Sequence, residues 1–304
     1  MTLEADLMID RRRLKRRLIF WRILAIAALV GGAVALAKPD HGDVGLRPYV
    51  ARLDVSGVIV SDPERDEALD DLARSDRVKA LVVRIDSPGG TVVGGESLYR
   101  GLRRVAAKKP VVAVMRETAA SAAYMTALAA DHLVAHEGTV TGSIGVLLQH
   151  ADMTSLLDKL GVKPESIKSA PLKAQPNPLE PLTEEARAAA KAVVLDMYGM
   201  FVDMVAERRG LDRKAALGLA DGRVFTGRQA KAEGLVDRLG GEPEARTWLS
   251  EAHGIKETVP VHDVEIERKD GLWREFLDKA LGKSWGSSGL RLDGLVSVWH
   301  PVLH

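Results

Sequence analysis

Twenty residues, Leu18 to Ala37, hold a single charge (Arg22) and directly follow a block of basic side chains. Coiled into a helix they would rise about 30 Å, one hydrocarbon thickness of a bilayer. Residues 1–22 carry seven basic side chains (Arg11, Arg12, Arg13, Lys15, Arg16, Arg17, Arg22) against Glu4, Asp6 and Asp10, whereas the whole chain has a formal net charge of +1. Trp21 and Arg22 stand near one end of the run, where an aromatic belt and a snorkelling cation belong. The positive-inside rule then keeps the N-terminus in the cytoplasm and sends the remainder across the membrane. The expected order is a basic cytoplasmic segment (1–17), a single-pass transmembrane anchor contacting lipid (18–37) and a polar linker (38–47). Two other readings stay open: a buried core helix, and a cleaved signal peptide, for which Ala35-Leu36-Ala37 has the small-x-small form.

The rest of the chain has room for one large core with appendages. That core must be aliphatic, because 304 residues include only five Trp, four Tyr and four Phe. Cysteine is absent, which removes disulfides, thiolate metal sites and a Cys nucleophile. The balanced charge gives no reason to expect a nucleic acid partner, and no motif calls for a cofactor or a metal. Tyr49–Val60, Lys79–Asp86 and Val111–Met115 read as strands, and Glu96–Lys108 as a helix with Leu98, Leu102 and Val105 on one face. Strands alternating with helices of this length imply an α/β fold with a largely parallel sheet covered by helices. Ser121–Ala130 reads as an Ala-rich helix and Leu133–Ala135 as a short strand. Thr183 caps a helix of about 26 residues stopped by Gly210, and Thr226 caps a short one ending at Gly234. Leu272–Leu281 has an amphipathic spacing, within a weakly patterned region that holds Trp273, Trp285 and Trp299.

Two segments could carry chemistry. Asp86-Ser-Pro-Gly-Gly-Thr91 lies at the carboxyl end of a buried strand, the edge at which open α/β sheets bind ligands. Its paired glycines let the backbone approach closely and turn an N–H toward an oxyanion; a plain strand-to-helix turn is the alternative. Thr118-Ala-Ala-Ser-Ala-Ala-Tyr124 follows the next strand and sets Ser121 among small residues at a helix start. There Ser121 is either an N-cap or a nucleophile, with the N–H of Ala122 joining that of Gly89 or Gly90 around a tetrahedral oxygen.

A serine nucleophile needs a base. His132 and His136 are the nearest imidazoles in sequence but lie beyond the Ser121 helix, which argues against a Ser-His triad. Lys168 and Lys173, in a Pro-rich extended segment, are the other candidates. A lysine with a pKa near 10.4 is neutral in only about one molecule in 2,500 at pH 7, so such a base requires burial in an apolar pocket.

Taken in order, Asp86-Ser-Pro-Gly-Gly, Ala-Ala-Ser121, Thr139-Val-Thr-Gly-Ser-Ile-Gly-Val146, Lys168-Ser-x-x-x-Lys173, Asp221-Gly-Arg-Val-Phe-Thr-Gly-Arg-Gln-Ala230 and Gly234-Leu-Val-Asp-x-Leu-Gly240 resemble the signal peptide peptidase A (protease IV type) family. The resemblance covers about residues 48–245. It implies a ClpP/crotonase-like fold and a Ser-Lys serine endopeptidase that hydrolyses peptides, such as remnant signal peptides, at the membrane. By motif, Ser121 matches the nucleophile, Lys173 the general base and Ser143 the hydroxyl that holds the lysine, with Lys168 as the fallback base. Gly90 and the Ala122 N–H match the oxyanion donors, with Gly89 beside them. The family usually has Gly-Gly where Ala122-Ala123 stand, so two methyl groups could narrow the pocket. The short, single-domain length implies a ring-shaped homo-oligomer with dyad partners from adjacent subunits. It places a peptidase domain at 48–250 and a C-terminal tail at 251–304, outside a bacterial cytoplasmic (inner) membrane. A catalytically inactive membrane scaffold of the same fold and a crotonase-type acyl-CoA enzyme are the competing readings.

Overall fold

The structure, a computed structural model, describes residues 17, 20–28, 48–266 and 296–298. Two units are distinguished, Met1–Arg47 and Pro48–His304. In the first, residues 20–28 are helical (α1). Among the described residues no helix is long and apolar enough to cross a membrane; much of the run 18–37, and all of Leu272–Leu281, lie outside them.

The second unit is an α/β domain. Its elements are β1 (Tyr49–Ile59), α2 (Pro63–Arg74), β2 (Val78–Thr91), α3 (Val92–Ala106), β3 (Val111–Ala120), α4 (Ala122–Ala127), β4 (His132–Ala135) and β5 (Val140–Gly142). After these come α5 (Thr154–Leu160), α6 (Glu184–Arg209), α7 (Arg213–Leu219), β6 (Val224–Thr226), α8 (Gly227–Ala232), β7 (Arg238–Leu239), α9 (Glu242–His253), β8 (Val261–Asp263) and β9 (Val296–Val298). The sheet order is β6-β5-β3-β2-β1-β8, with β4 between β3 and β7, and β9 on β2. All pairings are parallel except β5 with β6 and β2 with β9.

The central strands are apolar on both faces because both faces are covered. Ala51, Leu53 and Val55 of β1, Leu81, Val83 and Ile85 of β2, and Val111, Ala113 and Met115 of β3 join one core with Leu98, Leu102, Tyr124 and Phe201 from the helices. The alternate residues Val50, Ala80, Val82, Val112 and Val114 pack with Ala245 and Leu249 of α9. Arg52 ties the far edge together, bonding Asp263 of β8 at 2.5 Å and Glu242 of α9 at 3.3 Å.

Thr183 caps α6 by accepting from Ala186 N at 3.1 Å, and Gly210 ends it at φ 63. Only Ala186, Phe201, Val202 and Val205 of this helix are buried. Its N-terminal half and residues 147–179 expose large apolar side chains, including Leu148, Leu156, Leu160, Ile167 and Leu195.

Candidate active site

β3 ends in Ala119-Ala120, and the chain then turns so sharply that Ser121 takes φ 60 and ψ −122. Side-chain-bearing residues rarely adopt that conformation, and it costs on the order of 1–3 kcal/mol unless the surroundings over-determine it. The Ser121 side chain makes no capping bond to α4, which sets aside the N-cap reading. α4 is also only six residues long, shorter than the helix expected over Ser121–Ala130, so its dipole contributes little.

The turn is held from β5. Ser121 N donates to Gly142 O at 2.8 Å. The Thr141 hydroxyl donates to Ala119 O at 2.7 Å, and the Thr139 hydroxyl to Arg116 O at 2.5 Å. Both threonines are buried. Sequence reasoning had no role for these hydroxyls. Their spacing, two residues apart in Thr139-Val-Thr141 at the start of β5, was the available signal.

Ser143 follows at φ 50, its N–H donating to Arg223 O at 2.8 Å. Ser121 and Ser143 line one pocket of about 410 Å³, together with Val146, Leu195, Tyr198 and Gly222. At its margin the Asp221 carboxyl is lowered to about 2 by hydrogen bonds from the Arg223 side chain and backbone. Leu147, Val194 and Leu195 are shared with a second pocket of about 660 Å³ that reaches His150, Asp152 and Lys191.

Asp86–Thr91 is part of β2 itself, which runs straight to the start of α3. The close approach that its glycines permit is to β1: a Cβ on Gly90 would lie 1.8 Å from Ile59 O. Gly89 has φ 114. β9 runs antiparallel along Gly89–Thr91. Ala122 is fully buried and its methyl is directed at α3, 3.0 Å from where a Cβ on Gly95 would stand. Ala122 is not among the residues lining the Ser121 pocket.

Among the described residues no lysine lines that pocket. Lys173 is exposed on a tight turn closed by its own N–H on Ala170 O at 3.1 Å. Lys168 is half-buried and ion-paired with Glu180. The two histidines are elsewhere: His132 stacks on Trp248 with ring centroids 4.8 Å apart, and the His136 ring packs beside Gly241.

A buried serine at positive φ and a second serine line one pocket at the carboxyl edge of a mostly parallel sheet, where ligands bind in the α/β class. Residues 103–256 match the family described as Peptidase family S49. Over 211 residues the chain is 41% identical to the Synechocystis sp. protein named "Putative protease slr0021", covering 69% of this chain and 76% of that one. Over 236 residues it is 33% identical to "Protease 4" of Salmonella typhi, covering 75% of this chain and 37% of that one. The fold is shared with a solved "1510-N membrane-bound stomatin-specific protease" at TM-score 0.50 and 15% identity, covering 73% of this chain and all of that one. The chain belongs to peptidase family S49 and is a serine peptidase.

Proposed function

We propose that the protein is a membrane-anchored endopeptidase in which Ser121 is the nucleophile and Lys173 of a neighbouring subunit is the general base. The observation that carries this reading is the conformation of Ser121, buried at φ 60 on the wall of a pocket it shares with Ser143. The apolar side chains exposed over 147–179 and on α6 support a second copy as the partner, since patches of this extent mark interaction surfaces. Covering them would also supply the dry surroundings that a neutral lysine requires.

Neutral Lys173 takes the Ser121 proton as Oγ attacks the peptide carbonyl carbon. The oxyanion is met by the N–H groups of Gly90 and Ala122. Lys173 then protonates the leaving amine, and water, deprotonated by the same amine, releases the acyl group and restores the serine. Ser143 orients the lysine. The substrate lies extended along Gly89–Thr91 in the antiparallel sense that β9 takes there, forming main-chain bonds that are indifferent to sequence. Residues 18–37 span the bilayer and hold the domain on its outer side, where remnant signal peptides would be encountered.

Subunit mixing tests this. Ser121→Ala abolishes labelling by a fluorophosphonate probe, and Lys173→Ala lowers turnover about 10²–10⁴-fold. Co-assembled, the two inactive variants regain cleavage of labelled casein, because some interfaces then pair an intact serine with an intact lysine. Undiminished labelling of Ser121→Ala would overturn the nucleophile. No recovery on mixing, with mixed oligomers demonstrated, would overturn the shared dyad.

A further inference from the structure

The pairing of β2 with its neighbours slips twice around one residue. On the β1 side the register shifts between Ser56 and Val58, so Gly57, at φ 67, has no partner in the ladder. On the β3 side it shifts between Ile85 and Ser87. Ser87 stands at both irregularities and is fully buried. Its hydroxyl donates to Gly57 O at 2.6 Å and accepts from Gly89 N at 3.1 Å. One side chain therefore replaces the missing rung, joining the Gly57 carbonyl of β1 to the Gly89 N–H of β2.

Its place relative to Ser121 gives this clamp a second consequence. Ser87 pairs with Ala119 on β3, the last rung between these two strands, and Ser121 follows Ala119 by two residues in the chain. Pro88 has no N–H, and the N–H of Gly89 is committed to Ser87 Oγ. Along Ser87-Pro88-Gly89-Gly90 the first N–H beyond the clamp is that of Gly90. The peptide plane that carries it begins at Gly89, held at φ 114, a value that favours glycine.

We propose that Ser87 is a positioning residue for the oxyanion donor: its hydroxyl, held between Gly57 O and Gly89 N, fixes the Gly89–Gly90 peptide so that the Gly90 N–H faces the carbonyl attacked by Ser121. The proposal rests on Ser121 being the nucleophile. It also removes Gly89 from the donors and leaves the pair Gly90 and Ala122. A donor acts in catalysis only when aimed at where charge develops, and loss of one costs about 10²–10³ in kcat. Loosening one costs less.

The test uses the full chain with Ser87→Ala, and Ser87→Cys as a milder variant that keeps a weak donor and acceptor. Three quantities are measured: kcat and KM on a quenched fluorogenic peptide, inhibition by a peptide aldehyde that forms a tetrahedral adduct on the serine, and Tm. Ser87→Ala is expected to lower kcat about 10–100-fold with KM within about twofold. The aldehyde should weaken by a similar factor, and Ser87→Cys should fall between. Wild-type kcat and aldehyde affinity in a folded Ser87→Ala would overturn the proposal. So would losses in both variants that follow only the folded fraction, with normal aldehyde affinity in the molecules that remain folded. Wild-type enzyme unlabelled by a fluorophosphonate would instead overturn the reading of Ser121 on which the proposal stands.

Discussion

The N–H of Ser121 donates to the carbonyl of Gly142 at 2.8 Å, and one residue before Gly142 the Thr141 hydroxyl donates to Ala119 at 2.7 Å. The two bonds fasten β5 to either side of the turn at φ 60. Thr141→Val keeps the branched shape and removes the hydroxyl from a fully buried position. Ala119 O is left without that donor, at an expected cost of about 1–3 kcal/mol in urea denaturation. Fluorophosphonate labelling should slow as well. A variant that loses stability but labels at the wild-type rate would separate the support of the fold from the support of the nucleophile.

Ala122 stands where the family has glycine, yet its methyl group meets α3 and not the pocket. The fit depends on Gly95, where a Cβ would come 3.0 Å from the Ala122 methyl and 3.1 Å from Met125 Sδ. Gly95→Ala is therefore expected to destabilise by about 1–3 kcal/mol through overpacking, and Ala122→Gly in the same chain should restore part of that loss. Thermal unfolding of the two single variants and the double variant measures the coupling. Strict additivity would show that the contact is not the cause.

Much of this was legible before the fold was seen. Thr183 and Gly210 announce both ends of α6, Thr226 announces α8, and the apolar runs through Val82 and Val112 announce buried strands. The resemblance already singled out Ser121 and Ser143, the two serines that share the pocket. What stayed hidden is what depends on partners distant in sequence. Ser-Pro-Gly-Gly reads as a turn because glycine and proline break strands, yet it continues β2, since only a residue without Cβ can pass Ile59 so closely. β9 is three residues long, too short for periodicity to announce. Lys173 has no mark distinguishing it from a surface lysine, and within one chain it is exposed.

Acid should act on the domain in two stages. Burial against Trp248 keeps the His132 imidazole below its ordinary value, only partly offset by Asp237, while Arg238, Arg209 and Lys231 push it further down. Burial pushes Asp237 upward, but hydrogen bonds from Arg209 and its charge outweigh that and leave the carboxyl below its usual range. A histidine depressed in the fold binds more protons when unfolded. Its share of stability is complete above about pH 6.5 and is lost as pH falls through that value toward the folded pKa. The share of a depressed carboxylate is present above about pH 3.9 and is lost below it as the folded value is approached. Tm should therefore fall between pH 7 and 5 and again below about pH 4. His132→Phe, which keeps the stack on Trp248, should flatten the first decline and leave the second. An unchanged slope between pH 7 and 5 would mean that His132 is not its source.

β9 occupies the strip of β2 that a peptide would use. Val298, Ser297 and Val296 pair with Gly89, Gly90 and Thr91, and a strand edge cannot hold two antiparallel partners on the same side at once. If substrate adds there, it competes with residues 296–298 of the same chain or of a neighbour. A chain ending at Ile266 lacks that competitor and keeps β8 and its bonds to Arg52. Its KM for an extended apolar peptide is expected to fall several-fold, with kcat unchanged because Ser121 and its supports are untouched. Adding a synthetic peptide of residues 290–304 should raise the apparent KM again without lowering the maximal rate. Equal KM values with and without residues 267–304 would show that peptides bind along another edge, and the antiparallel register drawn for the substrate would have to be abandoned.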